Sequence, residues 1–230
     1  MGWQRVWWHA PRHVRRRSRR GSSRPVSRVL SRKILRTARQ AFLDEGFVRT
    51  TTDHIAEKAA ISKRTLYSRY TGKSALFETV ILTEIHDRLN ALEQDIPDLG
   101  NITLDLVVLA EKLLSWMLSD VHVAMERVVL GEATRFPALA NKVYEFGFIR
   151  TTKLVVRVLQ RANEKGEIAV SDPDFAAEQF VSAVILSPFR RAALGITEAG
   201  YTPEIAERMD RSVNLFVYGC RPSVADSPSR

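Results

Sequence analysis

An all-α fold follows from three features of this 230-residue sequence. Apolar residues recur at three- and four-residue intervals from about Val29 to Phe216, the spacing that gathers them on one face of a helix. Ser, Thr, Pro and Gly stand where the periodic runs begin and end. No alternating, β-branched run is long enough to demand a strand, and no internal repeat breaks the pattern.

The stretch Thr50 to Lys73, TTTDHIAEKAAISKRTLYSRYTGK, restricts function most. It reads as two short helices joined by a tight turn, the first from about Asp53 to Ala59 and the second from about Lys63 to Tyr70. Thr51 or Thr52 caps the first and Ser62 the second, because a hydroxyl oxygen accepts a bond from an amide with no intrahelical partner. Ile55, Ala59, Ile61 and Leu66 close the pair, which leaves Lys63, Arg64, Thr65, Ser68 and Arg69 pointing away from that small core. A short helix with such an outward face suits a DNA major groove.

Charge agrees with that reading. The formal net charge is +9, and residues 1–30 hold nine arginines and no acidic residue. Residues 31–73 hold ten Lys or Arg against four Asp or Glu, while residues 74–230 hold sixteen against twenty-two. The asymmetry favours a polyanionic partner for the N-terminal third and none for the remainder. Residues 1–28 have no helical period and form a basic arm with two open readings: sequence-independent phosphate contacts, or a solvated tail. No Met lies between Met1 and Met117, so Val26 and Val29 are candidate alternative starts; an intact mass of the protein from its native gene decides, and a full-length mass excludes them.

From about Val29 the period runs through Ile34, Leu35, Ala38, Ala41 and Phe42 to Gly46, whose freedom at positive φ suits a helix exit. After the helix pair, Lys73 to about Gln94 forms a longer helix, and Pro97 and Gly100 mark a break between modules. Thr103 to Leu118 is apolar on nearly every face and belongs inside a bundle. Further helices run from about Val121 to Thr134, from Pro137 to about Gly166, from Pro173 to a kink or end at Pro188, and from Pro203 onward. The division is 1–28 basic arm, 29–75 helix-turn-helix domain, 76–218 C-terminal domain and 219–230 tail.

Ile34 to Val80, ILRTARQAFLDEGFVRTTTDHIAEKAAISKRTLYSRYTGKSALFETV, closely resembles the N-terminal DNA-binding domain of TetR-family transcriptional regulators. The Gly-Phe, Thr-Thr, Ile-Ala, Ser-x-x-Thr-Leu-Tyr and Lys-x-x-Leu-Phe elements stand in the family's order and spacing. Glu132 to Gly147, EATRFPALANKVYEFG, resembles the C-terminal domain of AefR-like regulators. The resemblance implies an all-α homodimer of about nine helices per subunit: a three-helix DNA-binding domain with a helix-turn-helix, then a larger helical bundle for dimerisation and ligand binding. It places Thr51 and Thr52 at phosphates, Lys63, Arg64, Thr65 and Arg69 at bases or adjacent backbone, Tyr67 and Tyr70 at phosphates, and Lys73 as a further backbone anchor. Ser68 shares the outward face. Ala60 departs from the family, which most often has a turn glycine there; if the turn requires positive φ, alanine costs about 1–2 kcal/mol.

In the C-terminal domain Trp116, Met117, His122, Met125, Phe146, Phe148 and Phe180 are candidates for an effector pocket, against the plainer reading of each as core. Phe180, Ala183, Val184, Ile205, Met209, Val213 and Phe216 are candidates for the dimer interface. The one cysteine, Cys220, permits no intrachain disulfide. No paired His or Cys has metal-ligand spacing, and no nucleophile elbow, P-loop or dinucleotide fingerprint occurs, so neither metal, cofactor nor enzymatic activity is expected. The apolar runs are too short to span a membrane and the N-terminus lacks a secretory core, so a cytoplasmic location is expected. The leading expectation is a homodimeric repressor that binds double-stranded operator DNA and is released by an apolar or amphipathic small molecule. A ligand-independent architectural DNA-binding protein, distinguished by broad footprints, and a helical enzyme or binding protein without DNA function are the alternatives.

Overall fold

In the computed structural model, which describes residues 23–221, nine helices and no strands form among the described residues. Most of the basic arm, residues 1–22, and the tail from 222 onward lie outside them. The first three helices are α1 (Ser23–Arg49), α2 (Thr52–Lys58) and α3 (Lys63–Tyr67), followed by α4 (Lys73–Gln94), α5 (Ile102–Met117) and α6 (Asp120–Glu132). Helix α7, residues 137–164, consists of Pro137–Val143, a π turn Tyr144–Ile149 and Arg150–Glu164. Helix α8, residues 173–193, likewise passes through a π turn, Val181–Leu186, and α9 is Pro203–Gly219.

Three local differences from the sequence expectations have physical causes. Helix α1 begins at Ser23, well before Val29, and the Arg69 guanidinium ties that extension down by donating to the Ser27 and Ser31 hydroxyls at 3.3 and 2.9 Å. Helix α3 stops at Tyr67 and not Tyr70, because the amides of both Arg69 and Tyr70 converge on the Leu66 carbonyl at 3.0 Å and tighten the last turn. Pro188 neither ends nor breaks α8. A proline supplies no amide to the carbonyl four residues back, and the π turn just before it changes the bonding register there.

The caps fall where hydroxyls were expected. Thr51 Oγ1 accepts from the His54 amide at 3.2 Å and Ser62 Oγ from the Thr65 amide at 3.1 Å. Gly46 interrupts α1 at φ 75°, which turns Phe47 back into the core. The turn from α2 to α3 is a Schellman motif: the Ile61 amide donates to the Ala56 carbonyl and the Ala60 amide to the Glu57 carbonyl. Ala60 holds φ 49°, the sole positive φ at a non-glycine among the described residues. The same pair of bonds closes α7 and α8, where Gly166 and Gly195 occupy the equivalent position.

Packing makes one continuous apolar core from Ile34 to Val217. Helix α1 rests on α4 and α6, and α4 runs from the three-helix module into the second, so the division at residue 75 falls within a single helix. Helix α5 lies between α7, α8 and α9, with Leu106, Leu109, Leu113 and Leu114 fully buried, although Leu104 at its start is exposed. Arg150 locks α7 to α4 by bidentate donation to Glu93 at 2.7 Å for both bonds, with a further bond to Asn90. That pairing holds the Glu93 carboxyl below its usual range and raises the guanidinium's pKa.

Candidate nucleic-acid interface and apolar cavity

Leu66 is fully buried with Ile55 and Ala59, which fixes the roll of α3 and sets Lys63, Arg64, Tyr67 and Ser68 outward as exposed residues. The face is preorganised by its own hydrogen bonds. Tyr67 Oη and Thr52 Oγ1 are 2.9 Å apart, Ser62 Oγ and Thr65 Oγ1 2.8 Å, and Lys63 Nζ lies 2.5 Å from Asp53 Oδ2. Thr51 stands exposed at the start of α2 while its side chain caps the helix. Ser68 donates to the Thr65 carbonyl at 2.8 Å. Arg64 is exposed and its guanidinium makes no hydrogen bond or ion pair among the described residues.

Three candidate contacts sit differently from the expectation. Lys73 gives its three N–H groups to the carbonyls of Phe47, Val48 and Thr50 at 2.8, 3.1 and 2.9 Å, and its ammonium lies 4.5 Å from the centre of the Phe47 ring. These three bonds make Lys73 a clamp on the end of α1. Its partial burial and the nearby Arg135 both lower its pKa. Arg69, half-buried, is directed at Ser27 and Ser31 of α1 and not outward. Tyr70 is also partly buried against the module, with Ser31 beside its hydroxyl, and burial raises its pKa. Arg28, Arg32, Lys33 and Arg36 form an exposed basic row on α1, not singled out from the sequence, which flanks the serines that Arg69 holds. Its signal was the run of basic residues between the apolar positions of α1.

A cavity of about 400 Å³ opens among α4, α5, α6, α7 and α8. Trp116, Met117, His122, Met125 and Phe148 line it. Phe146 does not line it and is exposed; Phe180 is fully buried and packs edge-on against Phe216 at 5.1 Å, so its place is the core. Both π turns contribute walls, Tyr144, Gly147 and Phe148 from one and Val181 and Leu186 from the other. His122 stacks between Trp116 and Phe189, with ring centres 4.6 and 5.3 Å away, and burial pushes its pKa down to about 4. Glu126, one turn further along α6, also lines the cavity; burial raises its pKa. Glu126 was not legible as a cavity residue from sequence alone, although His122, Met125, Glu126 and Val129 share one helical face.

The stripe chosen for dimerisation divides. Val184, Met209 and Val213 are buried in their own subunit, Ile205 and Phe216 partly so, and only Ala183 is exposed. The outer faces of α8 and α9 instead display Phe175, Leu215 and Tyr218, at 60, 76 and 71% exposure. The more apolar of the two stripes on α9 is the core face, and periodicity alone selects it. Among the described residues no group of three or more His, Cys, Asp or Glu is placed to hold a metal ion. No described helix is long and apolar enough to cross a membrane.

Comparison with known proteins matches this geometry. Residues 34–80 fit the family model for bacterial regulatory proteins of the tetR family, and residues 105–219 the C-terminal domain of AefR-like transcriptional repressors. YvkB of Bacillus subtilis, an HTH-type transcriptional regulator, is 28% identical over 187 residues, which is 81% of this chain and 95% of that protein. A crystal structure of a TetR-family regulator from Mesorhizobium loti superposes with a TM-score of 0.76 at 25% identity, covering 85% of this chain and 98% of that one. The flavonoid-responsive regulator FrrA is 31% identical with a TM-score of 0.69, covering 85% and 99%. Fold, capped helix pair and relatives together define a helix-turn-helix DNA-binding transcriptional regulator, and not an enzyme. The chain belongs to the TetR family, with a C-terminal domain of the AefR-like type.

Proposed function

We propose that the protein is a homodimeric repressor, released from its operator by a small molecule that enters the cavity beneath α6 and α7. Thr51, Thr52, Lys63, Arg64, Thr65, Tyr67 and Ser68 meet the DNA, Arg64 being the cation with no internal partner among the described residues. Arg69 and Tyr70 orient α3 on α1, and Lys73 holds the end of α1. Two copies of α3, about 34–36 Å apart, enter successive major grooves of a near-palindromic site. The exposed Phe175, Ala183, Leu215 and Tyr218 supply the two-fold interface.

The observation that carries the effector reading is the cavity itself, with apolar walls drawn from α4 and four C-terminal helices. Its walls connect to the DNA-binding module, because α4 continues from one to the other and Phe136, between α6 and α7, touches Phe47. FrrA, similar over nearly its whole length, is flavonoid-responsive, which supports an aromatic effector here. A bound molecule shifts the dimer toward an arrangement with the wrong half-site spacing by binding that arrangement more tightly. The test is fluorescence anisotropy of the chain on its own promoter DNA, titrated with candidate aromatic molecules. Saturable binding that one of them reverses supports the reading; binding untouched by any molecule shown to occupy the cavity contradicts it.

A further inference from the structure

The charge of the cavity is one-sided. Glu126 and Glu178 line it and neither Lys nor Arg does. Its other titratable walls are His122, which burial keeps neutral, and Tyr144. Arg127, the neighbour of Glu126 on α6, is turned away and donates to the carbonyls of Ala192 and Ala193 at 2.7 and 2.9 Å. Glu126 has neither an ion pair nor a hydrogen bond among the described residues, and desolvation alone raises its pKa. Burial without a counter-charge disfavours the charged form of such a carboxyl group, and a cation beside it offsets that cost. Trp116, Phe148 and Phe189 line the same cavity.

We propose that the effector is a lipophilic organic cation, an aromatic amine or quaternary onium ion, whose charge lies against Glu126 and whose body fills the space between Trp116, Phe148 and Phe189. The proposal rests on the reading of this cavity as the effector site. Three features select a cation over an anion of the same size: a carboxylate with no internal partner, a second carboxylate on the wall, and aromatic faces, which attract positive charge. An anionic ligand meets no basic group and two acidic ones. Entry of a cation favours the carboxylate form of Glu126.

Tetraphenylphosphonium and tetraphenylborate, nearly identical in shape and opposite in charge, separate the possibilities when titrated calorimetrically into the full chain. The neutral polyphenol naringenin serves as the third probe. The phosphonium is expected to bind at least tenfold more tightly than the borate, and Glu126→Gln to lose at least tenfold of that affinity while its affinity for naringenin changes less than threefold. Glu178→Gln is expected to lose less than Glu126→Gln. Equal or tighter binding of the borate, or an undiminished phosphonium affinity in Glu126→Gln, overturns the cationic class. If naringenin binds and displaces DNA while the phosphonium does not bind, the effector site stands and the cation is wrong; if none of the three binds, both readings fail.

Discussion

The ring of Phe47 lies 4.9 Å from that of Phe136 and meets it edge-on at 74°. Phe47 closes α1 and contacts Phe77 of α4 at 5.0 Å, whereas Phe136 starts α7 directly beyond the cavity-lining end of α6. Lys73 and Arg135 place cations 4.5 and 5.6 Å from the Phe47 ring centre. One aromatic contact thus joins the exit of the DNA-binding module to the loop between two cavity walls.

Because both rings are apolar and in contact, their substitutions will not add. Phe47→Ala is expected to cost about 3–5 kcal/mol, with Phe47 nearly fully buried. The double-mutant cycle with Phe136→Ala should give a coupling of about 0.5–1.5 kcal/mol. Urea denaturation of the four proteins measures it, and zero coupling would remove this contact as a link between the modules.

Ala60 does with φ 49° what Gly166 and Gly195 do at the ends of α7 and α8. Ala60→Gly should therefore stabilise the chain by about 1 kcal/mol, relief of left-handed strain outweighing the added freedom of the unfolded chain. A rise in melting temperature of roughly 2–4 °C with unchanged DNA affinity is the expected result. A lower melting temperature would mean that the turn tolerates alanine without strain.

Lys73 and Arg64 separate structure from contact. Lys73→Met should lower stability and leave the salt dependence of DNA affinity unchanged, since its ammonium is consumed by three carbonyls. Arg64→Ala should leave stability unchanged and reduce the slope of log K against log salt by about one. Anisotropy titrations at several salt concentrations decide between this assignment and its reverse.

The fold was legible to the residue in places, because its signals are local. Thr51, Ser62 and Pro137 open helices where capping chemistry requires, and Leu66 is buried as its spacing demands. The site was legible only where a side chain's role depends on its own helix. The internal bonds of Arg69 and Lys73 were not legible because their acceptors lie 38 to 42 and 23 to 26 residues away, on α1 and its exit. Most of the stripe expected at the dimer interface faces inward in this chain, because α9 carries two apolar faces and hydropathy alone does not tell an outer Leu215 from an inner Val213. Glu126 escaped because a charged residue in a helix pattern reads as solvated until the neighbouring helices are in place.

His122 has a folded pKa of about 4 against an ordinary value of 6.5, so the folded protein keeps it neutral. Between those values the unfolded chain binds a proton that the folded chain refuses, and stability is lost as pH falls from about 6.5 to 4, by up to about 3 kcal/mol. Glu126 acts with the opposite sign: its raised pKa favours the folded state as pH falls through that raised value toward 4.5. His122→Phe should therefore flatten the acid loss, as measured by urea midpoints between pH 4 and 7. An unchanged profile would show that His122 is solvated.

The central claim is that two copies of α3 read one short operator as a pair. Selection of bound DNA from a random pool by the full chain tests it most directly. The account predicts enrichment of a near-palindrome whose half-site centres lie about 10 base pairs, or a small multiple of one helical turn, apart. A pool that yields no shared sequence, with protection spread along any duplex, would contradict it.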